Sequence, residues 1–142
     1  MLYMKLSPLL LVLGCIAPPT ACANEPLPGA IITMSGSAER LNIGQDGFCG
    51  KRSEINRPSS ASFRIPAQAK TYFYVKTSTS VAMGTYYCEG DFSFTPDAGK
   101  LHIIRYSMED NQCRLHLFSS IPGETPQPHP VEQESRRSCL LR

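Results

Sequence analysis

The chain has no tryptophan, only three histidines and no Cys-x-x-Cys pair. The last absence removes the usual dithiol redox motif. There is no G-x-S-x-G, no H-E-x-x-H, no phosphate-binding glycine loop and no dinucleotide fingerprint. These gaps argue against the common catalytic families, although a triad assembled in space leaves no such trace. No motif calls for a cofactor. Fourteen Lys and Arg face twelve Asp and Glu, a formal net charge of +2. No basic run with interleaved aromatics stands out, so nucleic acid has no electrostatic footprint here. No apolar run reaches the roughly 20 residues that a membrane-spanning helix needs, and no long segment carries helical apolar spacing.

What is present starts with a leader. Met1 to Lys5 carries one positive charge, Leu6 to Ala17 is apolar, Pro18-Pro19 breaks any helix, and Ala21-Cys22-Ala23 supplies small residues at cleavage spacing. Residues 1–23 therefore read as a bacterial-type export signal, and residues 24–29 as a flexible start. Three processing routes stay open: cleavage after Ala23, acylation of Cys22, or acylation of Cys15. The first two leave an even set, Cys49, Cys88, Cys113 and Cys139, whereas acylation of Cys15 strands Cys22. The expected location is periplasmic or secreted, or alternatively the outer membrane through a lipid anchor on Cys22. Export places the cysteines in an oxidising compartment.

The remainder, about 119 residues, suits one domain. Short β-prone runs alternate with turn residues. They are Ala30–Met34, Ala38–Ile43, Ser62–Ile65, Thr71–Lys76, Val81–Cys88, Phe92–Phe94, Lys100–Tyr106 and Gln112–Phe118. Thr71–Lys76 has the strongest strand composition, and residues 50–60 read as loop. The pattern predicts a small antiparallel β-sandwich spanning residues 30–121, stabilised by disulfides. Residues 122–142 contain Pro122, Pro126, Pro128 and Pro130 and read as a tail tied down by Cys139. An internal echo is visible: Pro66-x-x-x-Lys70 and Pro96-x-x-x-Lys100 each precede a β-prone run, as two similar turns between antiparallel strands would.

The tract Phe94-Thr95-Pro96-Asp97-Ala98-Gly99-Lys100 resembles the F-x-P-x-A-G-K turn of uncharacterised Gram-negative secreted proteins and lipoproteins. Ile65-Pro66-Ala67-Gln68-Ala69-Lys70 is similar to the I-P-A-G-K turn of that group and of PEGA-like modules, with Gln68-Ala69 in place of the glycine. The resemblance spans about residues 63–118. It implies an immunoglobulin-like or prealbumin-like sandwich in the cell envelope and brings no catalytic residues.

Two geometric expectations follow from the last two strands and the cysteines. With Ser107–Asn111 as a loop, Tyr106 faces Gln112. Leu101, Ile103 and Arg105 then share the core side with Cys113, Leu115 and Leu117, while His102 and His116 become neighbours on the outer face. Four cysteines allow three pairings. Cys88 with Cys113 and Cys49 with Cys139 are favoured, the first for lying on neighbouring strands, the second for fastening the tail.

His102 and His116, so placed, form a weak candidate metal pair, short of the three or four ligands a zinc site requires. Glu89, Asp91 and Asp97 read as solvated turn carboxylates. If Phe73 and Val75 face the core, Tyr72 and Tyr74 line an outer surface of the kind that engages a protein or sugar, unless a second sheet covers it. Together these features point to a non-catalytic envelope module, structural or protein-binding, an immunity or inhibitor protein being one version. Its expected partner is another envelope or periplasmic protein. The alternative is a small metal-binding protein or enzyme using His102 and His116.

Overall fold

The computed structural model describes residues 28–36, 38–56, 62–134 and 139. The leader, Cys15 and Cys22 lie outside them. Among the described residues there are ten strands: β1 (Gly29–Ser35), β2 (Ala38–Gly44), β3 (Ser53–Ile55), β4 (Phe63–Pro66), β5 (Thr71–Val81), β6 (Gly84–Phe94), β7 (Leu101–Glu109), β8 (Gln112–Ser120), β9 (Gln127–Pro128) and β10 (Glu132–Glu134). They form two five-stranded sheets, ordered β4-β1-β7-β8-β9 and β10-β6-β5-β2-β3. Neighbouring strands run antiparallel except β1 and β7, which are parallel. The protein is thus an all-β, disulfide-stabilised sandwich. Among the described residues no helix is long and apolar enough to cross a membrane.

Alternation builds the core. Ala30, Ile32 and Met34 of β1, with Ile104 and Leu117, line the inner face of the first sheet. Leu41, Phe73, Val75, Phe92 and Phe94 line that of the second. Phe73 stacks on Phe92 and Phe94 with ring centroids 5.1 and 5.0 Å apart. Burying each such aromatic contributes roughly 1.5–3 kcal/mol, so this stack is the centre of the layer contact.

The two proline turns do not reverse the chain between paired strands, as the echo suggested. Each carries it from one sheet to the other: β4 to β5, and β6 to β7. They also touch, since the Gln68 amide donates to the Pro96 carbonyl at 2.8 Å. Gln68 occupies the left-handed region (φ 63°) where the resembling turn has glycine, and Gly99 does so in the second turn (φ 71°).

The last hairpin corrects the expected register. Glu109 pairs with Gln112 and Tyr106 with Leu115. The connection is Asp110-Asn111, both at positive φ (51° and 60°), the conformation of a two-residue type I′ turn. Relative to the expected pairing this is a slip of three residues, an odd number, so one strand exchanges faces. That strand is β7: His102, Ile104 and Tyr106 face the core, and Leu101, Ile103 and Arg105 do not. The expectation for β8 stands, with Leu115 and Leu117 on the core side. The proline-rich segment supplies two edge strands. β9 pairs with β8, and β10 with β6.

Among the described residues two disulfides close the structure. Cys88 is bonded to Cys113 and Cys49 to Cys139, each with Cα atoms 5.5 Å apart. Cys88 and Cys113 lie in opposite sheets, not on neighbouring strands, so their bridge crosses the sandwich. By loop length the bridges contribute about 3.5 and about 4.6 kcal/mol, through restriction of the unfolded chain. They fit an oxidising, extracytoplasmic compartment.

Candidate functional site

Three places hold chemistry, and the sequence brought only parts of each into view. The first is the histidine region. His102 is fully buried, while His116 lies on the opposite face of the same sheet. They cannot share an ion. His116 instead approaches Glu109 at 3.4 Å and stacks on Phe118. The neighbour of His102 is His129, with ring centroids 5.0 Å apart, and Phe94 packs against both. His102 Nε2 accepts the Asp97 amide at 3.1 Å, and its Nδ1 is buried without a partner. Burial, then the neighbouring His129, holds the His102 pKa below the ordinary value of 6.5. A hydrogen bond from Lys100 holds the Asp97 carboxyl below its usual range. Among the described residues no group of three His, Cys, Asp or Glu has the arrangement of a metal site.

The second place is the outer face of the β10-β6-β5-β2-β3 sheet. Asn42, Tyr74 and Asp91 form one cross-strand row on β2, β5 and β6. Phe73 and Val75 point the other way into the core, as the alternation predicted. The tyrosines, however, are not an open surface. The loop between β2 and β3 folds back over them, and Phe48 meets Tyr72 edge-on at 5.0 Å. Glycine makes this return possible: a Cβ on Gly44 would collide with the Lys51 carbonyl. Arg52 fastens the loop, one guanidinium nitrogen bonding Asp91 and another the Phe48 carbonyl. Tyr74 donates to Glu89 at 2.9 Å. Glu89 and Asp91 are therefore strand residues with partners and not turn residues; Asp91 is buried, whereas Glu89 remains exposed. Under the loop lies a cavity of about 500 Å³, walled by Asn42, Phe48, Arg52, Tyr74, Asp91 and the Cys49–Cys139 bridge, with Arg40 and Gly50 completing it. Asn42, Arg52 and Asp91 escaped sequence reading because their association is non-local; Arg52 and Asp91 are 39 residues apart.

The third place is the end of the β5–β6 hairpin. Its strands pair continuously from Thr71–Phe94 to Val81–Gly84. β2 covers β5 only as far as Thr77, and β10 meets β6 only at Asp91–Ser93. Beyond Cys88 no third strand flanks the ribbon among the described residues, over four residues of each strand, about 13 Å. Here Val81 is 48% exposed, Met83 93%, Tyr86 46% and Tyr87 55%. Val81 and Tyr86 stand on the face that is core-directed farther along; Tyr87 stands on the other, beneath the Lys76 ammonium at 4.7 Å. Residues 78–87 carry no charge. The cross-sheet bridge fixes the base of this arm. The signal in the sequence was a β-rich run that outlasts its apolar alternation.

No protein-family model, no characterised protein and no solved structure matches this chain.

Proposed function

We propose that this is a non-catalytic module of the bacterial cell envelope, exported and disulfide-bonded, that binds another extracytoplasmic protein through the end of the β5–β6 hairpin. One observation carries the reading. Val81, Met83, Tyr86 and Tyr87 are the large apolar side chains left exposed together, on a ribbon that no third strand flanks beyond Thr77 and Cys88 among the described residues. Solvated ribbon edges are normally guarded by Lys, Pro or a bulge, and an unguarded apolar edge is a template for strand addition. The partner that fits is a protein presenting an extended, uncharged segment with apolar side chains at alternate positions. Its backbone would pair with the ribbon edge and its apolar side chains would cover Val81 and Tyr86. Tyrosine and methionine are favoured in such contacts. The role of an immunity or inhibitor protein is one form of this activity. The location follows the leader, periplasmic for a cleaved product or outer-membrane for one acylated at Cys22.

The experiment places a photo-crosslinking residue at Met83, and at Ala98 as control, in the exported protein. The adduct from position 83 is identified and the captured protein purified. Binding of that purified protein to the wild type, with loss in the Val81→Ser/Tyr86→Ser variant, is expected. No adduct specific to position 83, or equal binding by the variant, overturns the reading. A second copy of this chain in the adduct would also overturn it in favour of self-association.

A further inference from the structure

The cavity beneath the β2–β3 loop contains two unmet hydrogen-bonding groups of opposite kind. Asn42 Oδ1, an acceptor, and Arg52 Nε, a donor, are both buried and bond to nothing. Both residues wall the cavity. A buried polar atom without a partner is costly, and a pair of them beside one space marks a place where a ligand recovers that cost. The Arg52 and Asp91 side chains are only 10% and 6% exposed, so the donor is held rigidly.

The wall also states what kind of ligand fits. Each of its guanidinium groups has its own carboxylate: Arg52 pairs with Asp91, and Arg40 lies 3.6 Å from Glu54. A charged ligand would therefore find no free counter-charge, whereas a neutral one loses nothing. Phe48 and Tyr74 add aromatic surface that favours a methyl group or the face of a sugar ring. A volume of about 500 Å³ lies within the usual range for small-molecule sites. The group that offers one acceptor and one donor, is neutral and carries apolar flanks is the secondary amide.

We propose that this cavity is a binding site for a neutral secondary amide, as carried by an N-acetylated sugar or by a peptide backbone, with the amide carbonyl accepting from Arg52 Nε and its N–H donating to Asn42 Oδ1. Both atoms are buried, so entry involves a small outward movement of Phe48, with Arg52 held by Asp91 and the loop anchored at Cys49 by its bridge to Cys139. The site is independent of the hairpin end, since Tyr74 and Val81 are seven residues apart, about 23 Å along the strand.

The test is a nuclear magnetic resonance titration of the intact, oxidised protein. N,N′-diacetylchitobiose and N-acetyl-alanine-methylamide are the two amide probes, and cellobiose is the sugar without an amide. Saturable shifts are expected at the Asn42 side-chain amide, the Arg52 Nε–H and the Phe48 and Tyr74 backbone, with one or both amide probes, and none with cellobiose. Which probe saturates first tells the sugar source from the peptide source. An Asn42→Ala variant that keeps the wild-type spectrum elsewhere should bind roughly tenfold more weakly, the loss of one hydrogen bond. Absence of saturable shifts from both amide probes at tens of millimolar overturns the site. Equal shifts from cellobiose, or unweakened binding by Asn42→Ala, overturn its amide chemistry. The wild-type comparison of probes stands even if the variant fails to fold.

Discussion

The two halves of the β5–β6 ribbon share one hairpin register and have opposite surroundings. From Thr71 to Thr77 and from Cys88 to Phe94 the ribbon has a strand or sheet on most sides: β2 beside β5, β10 beside part of β6, a second sheet on one face and the Arg52 loop on the other. Beyond Thr77 and Cys88 no third strand flanks it among the described residues. The difference lies in composition. The covered half supplies Phe73, Val75, Phe92 and Phe94 to the core, whereas the free half is Ser, Thr, Ala and Gly around four large apolar residues. A two-stranded ribbon is marginal in water by itself, so the free half depends on the covered half and on the Cys88–Cys113 bridge at their junction. Its outer edges from Thr79 to Tyr87, which no described strand flanks, are open to a partner.

The comparison can be broken by mutation. Phe73→Ala should cost about 3–5 kcal/mol, as the truncation of a stacked core aromatic does, read as a fall in the urea midpoint. Replacing Cys88 and Cys113 together by alanine should cost about 3.5 kcal/mol, and should raise amide exchange in residues 78–87 more than at Phe73 or Phe92. Acid sharpens the contrast through His102, which belongs to the covered core. Its folded pKa is depressed, so the native state prefers the neutral ring. Stability is then full above the unfolded value of about 6.5 and declines as pH falls below it. The slope is at most about 1.4 kcal/mol per pH unit for one proton. A His102→Gln variant should flatten that limb of the stability profile. The Asp97 contribution, also depressed, is lost only at lower pH, below its ordinary value of 3.8. Smallest of all, Met83→Ser or Tyr87→Ser should change stability by no more than about 0.5 kcal/mol. A fall comparable to that of Phe73→Ala would erase the distinction between the halves.

Much of the fold was readable because strand signals here are local. Phe73 and Val75 alternate with Tyr72 and Tyr74, and the favoured cysteine pairs form, although Cys88 meets Cys113 across the sandwich and not on a neighbouring strand. Strand β6 was read as two pieces, Val81–Cys88 and Phe92–Phe94, because Glu89-Gly90-Asp91 breaks its apolar pattern, and the first piece ran through the β5–β6 turn at Ala82-Met83. A Cβ on Gly90 would crowd the Tyr106 hydroxyl at 2.9 Å, so a larger residue there displaces that side chain. Strand β3 was read as loop, since Ser53-Glu54-Ile55 is short and mostly polar. The hairpin register was misread for a different reason. Both faces of β7 carry apolar residues, Leu101 and Ile103 on one and Ile104 on the other, so alternation alone could not choose. The turn chemistry of Asp110-Asn111 decides it, because asparagine and aspartate tolerate positive φ. The cavity was illegible for a third reason. Its polar residues come from β2, the following loop and β6, and only the return of the loop over the sheet unites them. The tyrosines were placed on the right face, but composition could not show that Phe48 covers one of them.

The most direct measurement is amide hydrogen exchange along Thr71–Phe94, for the protein alone and with the partner captured at position 83. The account predicts slow exchange at Phe73, Val75 and Phe92 in both samples. Fast exchange is expected in the protein alone at Ser80, Thr85 and Tyr87, whose amides face the outer edges of the ribbon, becoming slow when the partner is present. Uniform protection of the whole ribbon in the free protein, or no change at residues 78–87 on binding, would contradict it.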